Sequence, residues 1–236
     1  MAEMGLGYGS EFQLMRFLGH HRNDLYELIH QATNTSESID WLDYPYESKR
    51  ISGDGELLGI ECFSKLENFT EIEAEWKKFW PQNGTAMNWD GIFTIGDTWY
   101  FVEAKAHKNE SFQKCGAKDG TSRKLIEKSL EETKKWLGAN TNKKWIDTNC
   151  YQLANRLAFL FFCQMNKIKA RLLYIGFVKG FRRNEGGVHL RGNDEVLSSE
   201  TWMNIWREEM KTLGLNLDKM SPYISFVHPD CEPKRK

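Results

Sequence analysis

A two-residue Gly96-Asp97 connection between two β-rich runs constrains the fold of this chain more than any other feature of its sequence. The runs are residues 89–95 and residues 98–105, and a short Gly-Asp link between such runs is typical of a β-hairpin. If Gly96 and Asp97 form the loop, Ile95 pairs with Thr98, and counting outward sets Asp90 opposite Glu103. The sequence therefore predicts two carboxylates facing each other across one hairpin.

Alternation of side chains along a strand assigns these residues to faces of the sheet. Asp90 shares a face with Glu103, and Lys105 lies on that face two residues further on. Facing residues of an antiparallel pair have Cβ atoms about 5 Å apart, so two carboxylates in these positions repel each other. A bound divalent cation would offset this repulsion, and we expect one here.

The composition indicates a folded chain in a reducing compartment. Of its 236 residues, 40% are hydrophobic and 28% are charged, which suits one domain over residues 1–236, with N-terminal helices at about 10–32 and a core at about 56–228. The five cysteines form no CxxC pair, so neither a disulfide framework nor a zinc site is indicated, and a cytoplasmic location fits best. The longest apolar run, residues 157–163, is too short to span a bilayer, and we expect no membrane partner.

Charge is distributed unevenly along the chain. Residues 1–104 carry 7 Lys/Arg against 18 Asp/Glu, whereas residues 105–144 carry 11 against 5 and residues 145–236 carry 14 against 10. The basic excess begins where the paired carboxylates end. Two interpretations stay open: a surface for a nucleic-acid backbone, or a solvated lysine-rich helix face.

Apolar periodicity predicts the remaining elements. Helices are expected at 10–20, 23–32, 69–80, 122–137 with Ser122 as N-cap, 151–165 and 200–213. Strands besides the hairpin are expected at 57–63, 171–178 and 223–227, with a loop at 182–194. This order predicts an α/β fold, a mixed β-sheet flanked by helices.

The segment Val102-Glu103-Ala104-Lys105, preceded by Asp90, resembles the active-site signature of the PD-(D/E)xK superfamily, the restriction-endonuclease-like nucleases. The surrounding residues are similar to an uncharacterised bacterial family within that superfamily, over roughly residues 10–228. Those residues are 79–82, 88–91 and 102–107, followed by the predicted 122–137 helix and by 151–152 with 155–156. One position departs from the pattern, because Trp89 stands where the superfamily name has proline.

The resemblance implies a restriction-endonuclease-like fold and a Mg²⁺ or Mn²⁺ site formed by Asp90 and Glu103. It also implies that the Ala104 carbonyl can add a metal ligand. Phosphodiester hydrolysis needs an activated water and stabilisation of growing negative charge. Lys105 can orient the water or neutralise that charge.

Two further groups of residues are candidates for the site. Members of the superfamily often add an acid from an upstream helix, and Glu73 is the residue of the 69–80 helix that suits this role, with Glu27 as the alternative or neither acid taking part. Gln152, Asn155 and Arg156 follow i, i+3, i+4 spacing on an otherwise apolar helix. They are expected either to reach substrate or the active site, or to bond loop backbone.

The expected function is hydrolysis of nucleic acid, DNA in preference to RNA, by a metal-dependent nuclease. One alternative is a non-catalytic module that binds nucleic acid or protein on the same fold. Another is a hydrolase of a small phosphorylated molecule. The oligomeric state stays open, with a homodimer among the alternatives.

Overall fold

A five-stranded mixed β-sheet is the centre of the fold. The computed structural model describes residues 9–42, 59–83, 87–118, 120–180, 182–183, 189–190 and 197–232. Its strands are β1 (Asp40–Trp41), β2 (Gly91–Ile95), β3 (Thr98–Lys105), β4 (Ala170–Gly176), β5 (Arg182–Arg183), β6 (His189–Leu190) and β7 (Ile224–Val227). The sheet has the order β1-β2-β3-β4-β7, and β5 pairs with β6 in a separate two-stranded ladder.

The predicted hairpin and its register are confirmed. β2 and β3 are antiparallel, Ile95 pairs with Thr98, and Gly96 has the positive φ of 56° that the tight turn requires. β4 runs parallel to β3, and β7 runs parallel to β4. The sheet therefore joins an antiparallel edge to a parallel half, and β3 lies where the two meet.

The described residues contain six α-helices, each within two residues of its predicted bounds. They are α1 (Gly9–His20), α2 (Arg22–Thr33), α3 (Phe69–Phe79), α4 (Gly120–Trp136), α5 (Tyr151–Met165) and α6 (Ser199–Thr212). The expected N-cap at Ser122 is wrong, because α4 begins at Gly120 and Ser122 is buried within its first turn. Among the described residues, no helix combines the length and apolar character that a membrane span requires.

The predicted strand at 57–63 is wrong in its described part, and residues 57–58 lie outside the described residues. Gly59 has a φ of 51°, and a 3₁₀ turn follows at Glu61–Lys65. Within the turn the Phe63 N–H donates to the Ile60 carbonyl at 2.9 Å, and the Leu66 N–H donates to the Phe63 carbonyl at 2.8 Å. These local bonds satisfy backbone groups that a strand would pair with a neighbouring strand.

Helices cover both faces of the sheet. α1 and α2 pack through Leu14, Phe17, Leu25 and Ile29 against one face. α3, α4, α5 and α6 share a second apolar cluster with the opposite face. At its centre, the ring of Phe159 lies 4.8 Å from that of Phe101 and 4.9 Å from that of Trp89, measured between centroids. This aromatic packing holds α5 against the end of the hairpin where Asp90 lies.

Part of the predicted loop at 182–194 contains short strands instead. Arg182 pairs with Leu190 and Arg183 pairs with His189 in an antiparallel ladder. Residues 184–188 and 191–194 of that loop lie outside the described residues.

Candidate active site

Asp90 lies at the open end of the hairpin, next to the backbone of residues 102–104. The paired ladder ends at Gly91 and Val102. Beyond it, the Asp90 N–H donates to the Val102 carbonyl at 3.2 Å, and Asp90 Oδ2 accepts a hydrogen bond from the Ala104 N–H at 2.6 Å. The residue count thus identified the correct end of the hairpin, and a side-chain bond to backbone continues the pairing there.

Glu103 and Lys105 project from the same face of β3 and form a buried ion pair. Glu103 is 1% exposed and Lys105 is 6% exposed. Lys105 Nζ donates to Glu103 Oε1. A buried carboxylate is stable only when its oxygens are paired or hydrogen-bonded, and Lys105 meets this need for one of the two.

Arg156 of α5 binds the other oxygen of Glu103. Its Nε donates to Glu103 Oε2 at 2.7 Å, and its Nη2 donates to the Asn88 carbonyl at 2.7 Å. The guanidinium carbon lies 4.5 Å from the centroid of the Trp89 ring, a distance typical of a cation–π contact. Trp89, which departs from the superfamily pattern, therefore supports the arginine that holds Glu103.

The structure distinguishes among the three polar residues predicted on α5. Arg156 bonds Glu103 and also the backbone of Asn88, so its contacts include both of the expected kinds. Asn155 supports it, since Asn155 Oδ1 accepts from Arg156 Nη1 at 3.3 Å. Gln152 is half-buried one turn before Arg156. The three residues thus form a polar strip along an otherwise apolar helix.

Burial and mutual charge shift the acid–base properties of the cluster. Burial and the neighbouring Glu103 carboxylate raise the pKa of Asp90 to about 7. Burial opposes ionisation of Glu103, but Lys105 and Arg156 outweigh it and hold the pKa of Glu103 below its usual value. Burial likewise opposes the charge on Lys105, yet Glu103 and Asp90 raise the pKa of that amine. At neutral pH Glu103 and Lys105 are therefore both charged.

Neither candidate for an additional acid is tied to this cluster. Glu73 lies on α3, is 44% exposed, and pairs with Lys77 at 2.9 Å. Glu27 is exposed on α2, a helix that packs on the face of the sheet opposite to Glu103. Glu73 therefore forms a surface ion pair of the ordinary i, i+4 kind.

A different acid, Glu209 of α6, belongs to the electrostatic environment of the cluster. Glu209 is 3% exposed on the helix face that also buries Trp202 and Trp206. Burial raises the pKa of Glu209 to about 8, against an opposing effect of Lys105. Its position seven residues after Trp202, on the apolar stripe of a predicted helix, was a usable signal in the sequence.

Two residues of β4 lie beside the Glu103–Lys105 pair, and one of them, Gly176, allows α6 to pack close to it. Tyr174 pairs with Glu103 and Gly176 pairs with Lys105 across the parallel ladder. A Cβ atom on Gly176 would lie 2.6 Å from Cγ of Trp202, so glycine is required for this approach. Tyr174 is buried, and both burial and Glu103 raise the pKa of its hydroxyl well above the usual value.

The donor set suits a hard divalent cation more than a zinc ion. Mg²⁺ takes one or two carboxylates and completes its coordination with waters and substrate phosphate. Asp90 and Glu103 provide that number. Within the part of the chain that the structure describes, no group of three or more His, Cys, Asp or Glu side chains is placed to hold a metal. Burial and, after it, the Glu103 carboxylate raise the pKa of Asp90, and a bound cation would favour the charged form of both carboxylates.

The raised pKa of the buried Glu209 predicts that stability falls as the pH rises. The pKa of Glu209 is raised from 4.5 to about 8 on folding, so the folded protein keeps a proton that the unfolded chain releases. This contribution is present below the unfolded pKa and is lost as the pH rises through the folded pKa. In chemical denaturation without added metal, we expect the free energy of unfolding to fall between pH 5 and pH 8, and to fall less in Glu209→Gln.

Glu200→Gln is the matched control for this experiment, because Glu200 is an exposed glutamate of the same helix. It should retain the slope of the wild-type protein. Identical slopes in wild type and Glu209→Gln would contradict the assignment of a protonated, buried Glu209.

Models of protein families, curated proteins and solved structures were compared with the chain, and none matches it. The function of the cluster is therefore inferred from its own geometry and charge.

Proposed function

We propose that this chain is a metal-dependent phosphodiesterase of the restriction-endonuclease-like kind that hydrolyses nucleic acid, DNA in preference to RNA, in the cytoplasm. The observation that carries the proposal is the convergence of Asp90, Glu103 and Lys105 at one end of the hairpin. A mixed sheet with helices on both faces is compatible with that fold. An acid–acid–lysine set combines metal ligands with a cation for phosphoryl charge.

Asp90 and Glu103 are the residues that would hold Mg²⁺ or Mn²⁺. When bound, the ion would neutralise charge on the phosphoryl oxygens and favour deprotonation of water. Both oxygens of Glu103 are engaged, one by Lys105 and one by Arg156. Loading of the site therefore requires Glu103 to exchange or share one of these bonds.

The remaining residues have roles that follow from their contacts. Lys105 can donate to a phosphoryl oxygen or orient the attacking water once its bond to Glu103 loosens. Arg156 is a positioning residue, since it fixes Glu103 from α5 and is itself held by Asn88 and Trp89. Asn155 and Gln152 extend this support along the helix.

One observation favours a second candidate, a non-catalytic module that binds nucleic acid or protein on the same fold. Glu103 is 1% exposed and paired on both oxygens, which also describes a structural ion-pair network. Such networks perturb pKa values without any catalytic role. The two candidates differ in metal binding and in cleavage.

Cleavage and metal binding together test the proposal. Supercoiled plasmid, linear duplex, single-stranded DNA and RNA are incubated with the protein in Mg²⁺, in Mn²⁺ or in EDTA. We expect cleavage of DNA with either metal, and its loss in EDTA. Mn²⁺ affinity is measured by calorimetry for wild type and Asp90→Asn. Because even supporting residues change metal affinity by about 10- to 100-fold, loss of a ligand should weaken binding at least about tenfold.

Asp97→Asn removes the same charge from the other end of the hairpin, where Asp97 is exposed and pairs with Lys169, and it should bind Mn²⁺ like wild type. Equal Mn²⁺ affinity in Asp90→Asn, or no cleavage of any substrate, would favour the binding module.

A further inference from the structure

A cavity of about 610 Å³ opens beside the start of α5, outside the cluster of Asp90, Glu103 and Lys105. Three lysines line this cavity: Lys114, Lys143 and Lys144. We call it the lysine pocket. Its lining also includes hydrogen-bonding groups from Thr148, Asn149 and Thr212. The volume lies within the range of about 300 to 1,000 Å³ that is usual for ligand sites.

The lysine pocket has an excess of positive charge. The one carboxylate among the described residues that line it, Asp147, is paired with Arg123. Lys144 pairs with Glu127, whereas Lys114 and Lys143 form no ion pair with any residue that the structure describes. The lysine side chains are exposed. The lining therefore offers ammonium donors to an anion without having to break buried contacts.

Hydrogen bonds hold the lysine-bearing segments beside α5 and α4. The Tyr151 N–H donates to the Gln113 carbonyl at 3.0 Å, next to Lys114. Gln113 also forms an isolated parallel bridge with Cys150, which precedes α5. On the other side, Lys134 Nζ of α4 donates to the Lys143 carbonyl at 3.1 Å. The Lys114 side of the pocket is thus attached to the helix that carries Arg156, and the Lys143 side is attached to α4.

Helical spacing connects the lysine pocket to the candidate active site. Asn149 comes two residues before the helix, whereas Gln152 and Arg156 lie within it at i and i+4, on one side. Arg156 is five residues beyond Tyr151, the first residue of the helix, which is roughly 7.5 Å along the axis at 1.5 Å per residue. Successive phosphates of one DNA strand rise about 3.4 Å along the duplex axis, so a few nucleotides of one strand can span from the pocket to the cluster.

We infer that the lysine pocket binds a backbone phosphate of the nucleic-acid strand, a few nucleotides from the phosphodiester held at Asp90, Glu103 and Lys105. The identity of the strand rests on the proposed function; the anionic character of the ligand rests on the pocket itself. Contacts of lysine with phosphate supply affinity and position the strand without reading its sequence. Gln152, between the two sites, is placed to contact the intervening backbone.

Binding in EDTA tests this inference separately from cleavage. Fluorescence anisotropy gives the Kd of a labelled 12-nucleotide DNA for wild type and for Lys114→Gln/Lys143→Gln/Lys144→Gln over a range of salt concentrations. We expect the triple variant to bind at least about tenfold more weakly at low salt. Its slope of log affinity against log salt should be smaller by about 0.7 to 0.9 for each phosphate that the variant no longer neutralises.

Lys124→Gln/Lys128→Gln/Lys135→Gln is the matched control, because it removes three exposed charges of α4 from the same basic segment. This control variant should keep most of the wild-type affinity for the oligonucleotide. Equal losses in both triple variants would mean that binding is diffuse electrostatic attraction, and would overturn the lysine pocket. Failure of wild type to bind the oligonucleotide would overturn it as well. Thermal unfolding checks that both variants fold.

Two further results separate the alternative ligands and the two proposals. If a mononucleotide or inorganic phosphate binds the lysine pocket as tightly as the oligonucleotide does, the ligand is a small phosphorylated molecule and the strand assignment is wrong. Pocket-dependent binding without cleavage in Mg²⁺ or Mn²⁺ would sink the nuclease proposal and leave the pocket standing. If wild type cleaves DNA and the pocket variant binds the oligonucleotide with wild-type affinity, the nuclease proposal stands and the lysine pocket is wrong.

Discussion

Replacing Lys105 with methionine is expected to lower the rate of DNA cleavage by about 10²- to 10³-fold, the usual effect of removing one donor that stabilises charge in a transition state. Lys105 is the cation of β3 that shares a strand face with Glu103. Its pKa is raised by Glu103 and Asp90 against the effect of burial, so the amine is charged at neutral pH. Methionine keeps most of the side-chain volume and removes the charge. Single-turnover cleavage with Mn²⁺ measures the effect.

Mn²⁺ affinity distinguishes a chemical role of Lys105 from a structural one. Glu103 keeps its bond to Arg156 in this variant, and its other oxygen is released for the ion, so we expect Mn²⁺ to bind at least as tightly as in wild type. Thermal unfolding checks that the variant folds. Lys169→Met is the matched control, since Lys169 is an exposed lysine paired with Asp97 beside the hairpin turn. Full cleavage activity in Lys105→Met would show that the chemistry does not depend on this amine.

Replacing Arg156 with methionine should lower the free energy of unfolding by about 3 to 5 kcal/mol, the usual cost of removing one partner from a buried ion pair. The substitution leaves one oxygen of the 1%-exposed Glu103 without its donor. It also removes the bond to the Asn88 carbonyl and the contact with the Trp89 ring. Urea denaturation at neutral pH gives the free energy.

A second arginine of the same chain provides the comparison. Arg123 pairs with Asp147 at the surface, with side chains 38% and 56% exposed, so Arg123→Met should cost at most about 1 kcal/mol. Combining Arg156→Met with Glu103→Gln should cost less than the sum of the two single substitutions, because each substitution removes the same bond between Arg156 and Glu103. Additive costs, or equal costs for the two arginines, would contradict a buried ion-pair network around Glu103.

Local sequence signals were sufficient to predict the hairpin. Successive side chains of a strand point to opposite faces of the sheet, and the Gly96-Asp97 turn sets the register. The pairing of Ile95 with Thr98 therefore follows from counting residues outward from the turn. The helices were predictable for a similar reason, since the apolar stripes of α3, α5 and α6 are properties of single segments. The strand expected at 57–63 failed because a short apolar run does not distinguish a strand from a buried turn.

Long-range packing decided which side chains share the site. The sequence located Asp90, Glu103 and Lys105, because one hairpin carries all three. It marked Arg156 as a polar group on an apolar helix, but its bond to Glu103 spans 53 positions of sequence. Periodicity reports which face of a helix is buried and does not report which strand covers that face.

The same limit of helical periodicity explains why the sequence pointed to Glu73 and not to Glu209. Glu73 met the local criterion for an additional acid, yet α3 directs it to a surface pair with Lys77. Glu209 lies near Lys105 because Gly176 admits Trp202 of α6 at close range. The sequence by itself determined the hairpin register, the faces of the strands and the acid–acid–lysine set, since these depend on neighbours along the chain. The tertiary structure alone decided that Arg156, Tyr174 and Glu209 surround that set, because packing between distant segments brings them there.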